Sequence, residues 1–374
     1  MPQPRFSPAR LDRFRRSPAW SPDGNGFTNR LPSPLVGARN LKLVGRFFFE
    51  RAEREPPGPL PSVPVDARVL DAARRAHDGL RVTWLGHSTA LIEIAGRRVL
   101  IDPVWSDRAS PFSWSGPKRF QPVPVALERV PLPDVVLVSH DHYDHLDHAT
   151  VVALAKRGAR FVTALGVGAR LEAWGIDAAQ IIELDWWQEE TLAPGLAIRA
   201  LPARHFSGRS VGDRNRTLWA SWSIEAGGLR LYFGGDGGLD EEMFAEIGQR
   251  CGPFDLTMLE IGAFDPAWGT IHLGPENALM AHRLLGGRAF LPVHWGTFNL
   301  GLHAWDAPVE ELLAAAAGSD VRIALPRLGE SVVAGERLPV EPWWRVLRER
   351  RAEAPTPAPV EDEAAQTASV MPID

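Results

Sequence analysis

The run Ser139-His140-Asp141-His142-Tyr143-Asp144-His145-Leu146-Asp147 constrains this chain more than any other feature. It follows Val135-Val136-Leu137-Val138, a short continuous apolar stretch that reads as a buried strand. Three imidazoles and two carboxylates fall within six residues just past the strand's end. A turn there can aim most of them at one point. Imidazole nitrogen and carboxylate oxygen are the common protein ligands of zinc and other borderline divalent ions. The spacing His-x-His-x-Asp-His offers more than one ion takes from one loop. It points to two ions side by side, with His140 and His142 on one and Asp144 and His145 on the other. The chain holds 11 His, and four of them, His148 included, fall in this stretch. A polar loop rich in histidine by chance is therefore the weaker reading.

Two ions need more ligands than one loop supplies. Three further positions stand at or just past the end of an expected strand. His205 follows Leu196–Leu201, Asp236 follows Leu231–Gly235, and His294 follows Ala289–Val293. Two glycines on each side of Asp236 allow a tight turn and close backbone approach. Each position alone is weak, since a lone His after a strand is more often structural. Together the set closes two spheres: His140, His142 and His205 around the first ion, Asp144, His145 and His294 around the second, with Asp236 between them.

The rest of the chain is consistent with a large globular body. Strands are expected at 81–85, 90–94, 98–101, 135–138, 160–163, 181–184, 196–201, 217–224, 229–234, 255–261 and 289–293. Helices are expected near 148–157, 167–174, 239–249, 275–285 and 308–317. Strands interleaved with helices in both halves suggest two sheets sandwiched between helices. A long Pro-rich loop from 103 to 133 is of the length that is usually functional or disordered. Residues 1–75 form an N-terminal arm with little periodicity. It holds a basic patch (Arg10, Arg13, Arg15, Arg16) and an apolar stretch, Leu41–Phe49. The apolar stretch reads first as a short helix packed on the body; alternatively, it and the basic patch together could hold the protein on an anionic leaflet. The last residues, 346–374, read as a disordered tail.

Composition excludes some classes. The net charge of -5 argues against a general nucleic-acid binder, so no nucleic acid is expected as a partner. The single cysteine, Cys251, rules out an internal disulfide and a cysteine-based zinc site. No apolar run is long enough to span a membrane, and the first thirty residues lack the apolar core of a secretory signal. The expected location is cytoplasmic, with peripheral contact at the inner membrane face left open.

The ordered set His-x-His-x-Asp-His, then His, Asp and His resembles the metallo-β-lactamase fold superfamily. That resemblance implies an α/β fold, a four-layer αββα sandwich with a dinuclear metal site at the sheet edge, here over residues 76–345. Further segments are similar to the branch of N-acylphosphatidylethanolamine-hydrolysing phospholipase D and its bacterial relatives. They are Thr83–Thr89, Asp102–Pro111, Gly116-Pro117-Lys118-Arg119-Phe120, Gly252–Leu256 and His294-Trp295-Gly296-Thr297-Phe298. Thr270–Glu276 resembles a family segment of the type His-x-x-Pro-Glu, with Gly274 and Asn277 departing from it, and offers His272.

The resemblance implies two Zn2+, with iron or manganese as alternatives, that make a water between them acidic enough to act near neutral pH. It implies hydrolysis of a phosphodiester, giving an N-acylethanolamine and phosphatidic acid from N-acylphosphatidylethanolamine. Asp144 would ligate and orient the water, and His272 would contact phosphate or donate a proton. His87 would be structural or support a ligand, and Lys118 and Arg119 would steer an anionic head group. The alternatives are a soluble metallohydrolase acting on a lactone, cyclic phosphate or other small ester, and a metal-bound scaffold without turnover. The partner is a phospholipid or other phosphodiester substrate. The oligomeric state stays open, a dimer included.

Overall fold

The computed structural model describes residues 5–33, 53–66, 68, 78–193, 195–210, 212–265 and 270–348. The apolar stretch 41–49 and residues 349–374 of the expected 346–374 tail lie outside them, whereas Leu347 is buried and Arg348 pairs with Asp306.

Two sheets carry the fold, and both follow one plan. The first contains β1 (Leu80–Gly86), β2 (Thr89–Ile94), β3 (Arg97–Ile101), β4 (Val135–Val138), β5 (Phe161–Ala164), β6 (Ile181–Leu184) and β13 (Ser331–Val333), in the order β13-β1-β2-β3-β4-β5-β6. Its first three strands are an antiparallel meander, and β3 through β6 run parallel. The second sheet runs β12 (Phe290–Val293), β11 (Leu256–Glu260), β10 (Leu229–Phe233), β9 (Ser221–Ala226), β8 (Leu196–Leu201) and β7 (Glu189–Ala193). There, β7 to β10 are antiparallel and β10 to β12 parallel.

Parallel strands buried on both faces need continuous apolar sequence. Val135–Val138 supplies it, and all four residues are buried. One continuous hydrophobic cluster draws on both sheets, from Val82, Ile92 and Leu137 to Ile224, Phe233 and Leu291. Helices α2 (His148–Lys156) and α3 (Val167–Ala173) follow β4 and β5. Helices α4 (Glu241–Cys251), α5 (Gly274–Leu284) and α6 (Ala307–Ala316) accompany the second sheet. The layers are those of an αββα sandwich. Helix α4 illustrates the local logic. Asp240 caps it by accepting the Met243 N–H at 3.0 Å, Glu241 and Glu242 sit in its first turn, and Arg250 sits in its last. Met243, Phe244, Ile247 and Cys251 form its buried stripe.

The arm departs from expectation. Residues 8–15 form a helix, α1 (Pro8–Arg15), capped by Ser7 with Pro8 at its first turn. Phe14 is buried among Phe6, Trp20 and Phe27. The basic patch turns inward: Arg10 pairs with Glu172 and Glu183, each at 2.9 Å, and Arg13 donates to Gln188 and to the Glu183 carbonyl. Arg15 pairs with Asp12. Two of the four cations proposed for a leaflet are spent on the body.

The 103–133 loop is tied down at its root. Asp147 accepts the N–H of Trp105 and of Ser106 and the Ser106 hydroxyl. Phe112 and Trp114 at its tip are exposed.

Candidate metal centre

The candidate ligands emerge at the carboxyl ends of strands, where β4, β8, β10 and β12 each release one loop. Close approach explains the glycines around Asp236. Gly235 has φ +58°, and a Cβ on Gly238 would run into the Thr270 carbonyl. Three non-glycine residues at the centre also sit in the left-handed region: His87 (φ 53°), Asp102 (φ 39°) and His294 (φ 64°). Such strain gathers where the surroundings over-determine the backbone. Here the His87 carbonyl accepts the His294 N–H at 3.1 Å, and the His87 N–H donates to Thr297 Oγ1 at 2.6 Å. The hairpin of the first sheet is thereby stitched to the last loop of the second.

The seven residues expected as ligands converge. His142 Nδ1 lies 2.8 Å from His140 Nε2 and 3.3 Å from His205 Nε2. Asp144 Oδ2 lies 3.4 Å from His145 Nε2 and 3.3 Å from His294 Nε2. Asp236 stands between the two groups. Its Oδ1 is 3.2 Å from His145 Nε2, and its Oδ2 is 3.0 Å from His294 Nε2, 3.8 Å from His205 Nε2 and 4.0 Å from His140 Nε2.

Outer hydrogen bonds fix the tautomers. His140 Nδ1 meets Ser139 Oγ at 2.9 Å, His145 Nδ1 meets Asp102 Oδ2 at 2.7 Å, and His205 Nδ1 meets the Ile271 carbonyl at 3.0 Å. With Nδ1–H so engaged, each ring turns an Nε2 lone pair inward, the arrangement that metal-binding histidines adopt.

The donor set fits a pair of divalent ions. The buried Nε2 of His145, Nε2 of His294 and Oδ1 of Asp236 have no hydrogen-bond partner. Buried polar atoms left this way are rare and ask for an explanation. An ion held by these lone pairs supplies one. Charge gives the same answer. Burial, reinforced by neighbouring imidazoles, holds His140 well below the usual histidine range. Burial also holds His205 well below that range and lowers His142. These three are neutral lone-pair donors. At His145 and His294, burial is outweighed by Asp236 and Asp144, so both are raised, His294 to about 10. Without ions, the carboxylates draw protons onto the two imidazoles nearest them, which places positive charge where the second ion would sit.

The remaining candidates divide. His272 reaches the edge of the centre: its ring centroid is 5.2 Å from that of His205, and its Nδ1 bonds Glu260 Oε2 at 2.7 Å. His87 abuts the ligands, with Nε2 2.9 Å from Asp144 Oδ2. Burial and the neighbouring His294 push His87 down to about 3. Arg119 does not offer its guanidinium to a ligand. It is buried, donates to the Ser106 and Val104 carbonyls at 3.0 and 2.8 Å, and lies over the Phe298 ring. Lys118 is exposed beside it. Asp141 faces away from the centre, toward Arg170 and the Gly208 N–H.

Two carboxylates escaped the sequence reading. Asp102 is fully buried and accepts the Ser139 N–H and hydroxyl as well as His145. Glu260 is equally buried and accepts the Gly237 and Leu273 N–H groups besides His272. Each follows or closes an apolar strand, Val99–Ile101 or Leu256–Leu259, and that was the available signal.

The comparisons agree with this geometry. The family described as Beta-lactamase superfamily domain matches residues 97–295, more than half of the chain. An uncharacterized protein of Mycobacterium tuberculosis (strain ATCC 25618 / H37Rv) is 49% identical over 327 residues, 86% of this chain and 86% of that one. N-acyl-phosphatidylethanolamine-hydrolyzing phospholipase D 1 of Caenorhabditis elegans is 36% identical over 260 residues, 64% of this chain and 73% of that one. Among solved structures, the isothiocyanate hydrolase from Delia radicum gut bacteria superposes with a TM-score of 0.55 at 21% identity. It covers 68% of this chain and 99% of that one, and at such identity shows the fold alone. Fold, convergent ligand set and relatives meet in one statement: the chain is a metal-dependent hydrolase that belongs to the metallo-β-lactamase superfamily, in the branch of N-acylphosphatidylethanolamine-hydrolysing phospholipase D and its bacterial relatives.

Proposed function

We propose that this hydrolase uses two zinc ions to cleave a phosphodiester by a phospholipase D-type reaction, with N-acylphosphatidylethanolamine as substrate. One observation carries the reading. The two segments most specific to that branch, Gly116–Phe120 and His294–Phe298, lock together beside the metal centre. The Phe120 N–H donates to the Thr297 carbonyl at 2.8 Å, and Arg119 and Phe298 form a β-bridge. Thr297 in turn holds the His87 N–H. The resemblance therefore extends to the wall around the ligands.

Zinc, when bound, supplies a nucleophilic water near neutral pH and charge to match that building on the phosphoryl oxygens. The protein supplies placement. Asp144, pressed between His87, His145 and His294, orients the attacking water. His272, held at Nδ1 by Glu260, turns its other nitrogen to the departing alcohol and gives it a proton. Glu260, against a cost from burial, keeps that imidazole raised above its ordinary range. Water oxygen joins phosphorus, the phosphorus–alcohol bond breaks, and an N-acylethanolamine leaves phosphatidic acid behind.

The test pairs two assays on zinc-loaded protein: N-acylphosphatidylethanolamine in mixed micelles, and a soluble bis-aryl phosphodiester. Release of N-acylethanolamine with phosphatidic acid supports the reading. Cleavage of the soluble ester alone moves the substrate to a small ester or cyclic phosphate.

A further inference from the structure

We infer that Asn29, in the N-terminal arm, is a positioning residue for His205 and so a part of the first metal sphere's support. The inference rests on the ligand set given above. His205 lies past the end of β8, and the ladder between β8 and β9 stops at Leu201. Among the described residues no strand runs alongside to fix its backbone. The Asn29 side chain does so instead. Its Nδ2 donates to the His205 carbonyl at 2.8 Å, and its Oδ1 accepts the His205 N–H at 3.0 Å. One amide closes both backbone groups of one ligand, as a neighbouring strand would.

The support is anchored on every side. Trp219 Nε1 donates to the same Asn29 oxygen at 3.1 Å. Arg204, next to the ligand, reaches the Pro32 carbonyl at 3.0 Å and Ser33 Oγ at 3.3 Å. The Phe27 N–H bonds the Asn215 carbonyl at 2.8 Å. Arg30 pairs with Asp240, Glu242 and Glu246. With the ring fixed at Nδ1 by Ile271 and the backbone fixed by Asn29, His205 Nε2 has one direction left. Only a side chain with both a donor and an acceptor at this reach fills the role. Aspartate keeps the acceptor and sets a carboxylate oxygen against the His205 carbonyl.

The test titrates zinc-free full chain with Zn2+ in competition with a chromophoric chelator, resolving two dissociation constants. Support around metal ligands is commonly worth ten- to a hundredfold in affinity. Asn29→Ala is expected to weaken one constant by about that factor and to leave the other within about twofold, with an altered visible spectrum after Co2+ substitution. Asn29→Asp, which keeps the shape, is expected to weaken the same constant. Arg10→Ala is the control. It loosens the arm at α1, where Arg10 pairs with Glu172 and Glu183, and is expected to lower the thermal midpoint with both constants retained. Unchanged constants in both Asn29 variants, or a loss in Asn29→Ala no greater than in Arg10→Ala, would overturn the inference. Wild-type protein that binds no zinc would overturn the ligand set itself, a result separable from the variants.

Discussion

His145 Nδ1 lies 2.7 Å from Asp102 Oδ2, and neither side chain is exposed. The pair joins the end of β3 to the ligand loop after β4. Asp102 also takes both donors of Ser139, whose hydroxyl meets His140. One carboxylate thus holds a candidate ligand of each proposed sphere. In Asp102→Asn an N–H would face a donor already in place. Zinc affinity is expected to fall by about ten- to a hundredfold, measured by chelator competition. Unaltered affinity would refute the orienting role.

Removal of the ions exposes the cost of assembling this centre. Asp144 and Asp236 both stand well below the carboxylate range, against burial, because His145 faces them. Zinc at about a hundred times its dissociation constant adds about 2.7 kcal/mol to the stability of the form that binds it. Chelation is expected to lower the unfolding midpoint, and Asp236→Ala to abolish most of the zinc-dependent gain together with turnover. Full turnover in Asp236→Ala would end the assignment of Asp236 as the shared ligand.

His282 makes acid sensitivity outside the metal centre. It is buried on α5, stacked on Phe290, with Nδ1 2.7 Å from Thr257 Oγ1. Burial, then Arg283, pushes it down to about 4. The unfolded chain, at about 6.5, takes up the proton first. Stability is therefore lost as pH falls from about 6.5 to about 4, by about 3 kcal/mol in full. Urea unfolding of metal-free wild type relative to His282→Gln should fall by about that amount across the window. Parallel pH profiles would show the group to be unimportant.

Arg170 is 3% exposed and binds two buried carboxylates, Asp141 Oδ2 at 2.6 Å and Asp213 Oδ2 at 3.1 Å. Asp141 lies between two ligands, so its partner also braces the ligand loop. Arg170→Met removes from both acids the cation they share and is expected to cost about 3–5 kcal/mol, read by chemical denaturation. A loss under about 1 kcal/mol would place the brace elsewhere.

Legibility in the sequence followed chemistry and strand position. The converging cluster was legible because histidine is scarce in the chain and because the His140–His145 loop, His205, Asp236 and His294 each come shortly after an apolar strand. Strands β8 and β6 fell where expected because their apolar runs are bounded by clear breaks. Strand β7 was missed because its residues are exposed or half-buried and carry no buried alternation. Strand β13 was missed because it is three residues at a sheet edge. Helix α1 announces itself by Ser7 and Pro8, but its three arginines outweighed the single buried Phe14. Arg119 looked like a cation for a substrate because charge is visible in sequence and its carbonyl partners are not. Asn29 was invisible for a deeper reason: it bonds the backbone of a residue 176 positions away, as a neighbouring strand would.

In the proposed centre each sphere would take its donors from both sheets: His140 and His142 would need His205, and Asp144 and His145 would need His294. Neither half of the chain owns a complete coordination set. Cut between the sheets, the two fragments would be inert when apart and would reassemble best with the ion as clasp, so the proposed metal would also be the molecule's measure of its own integrity.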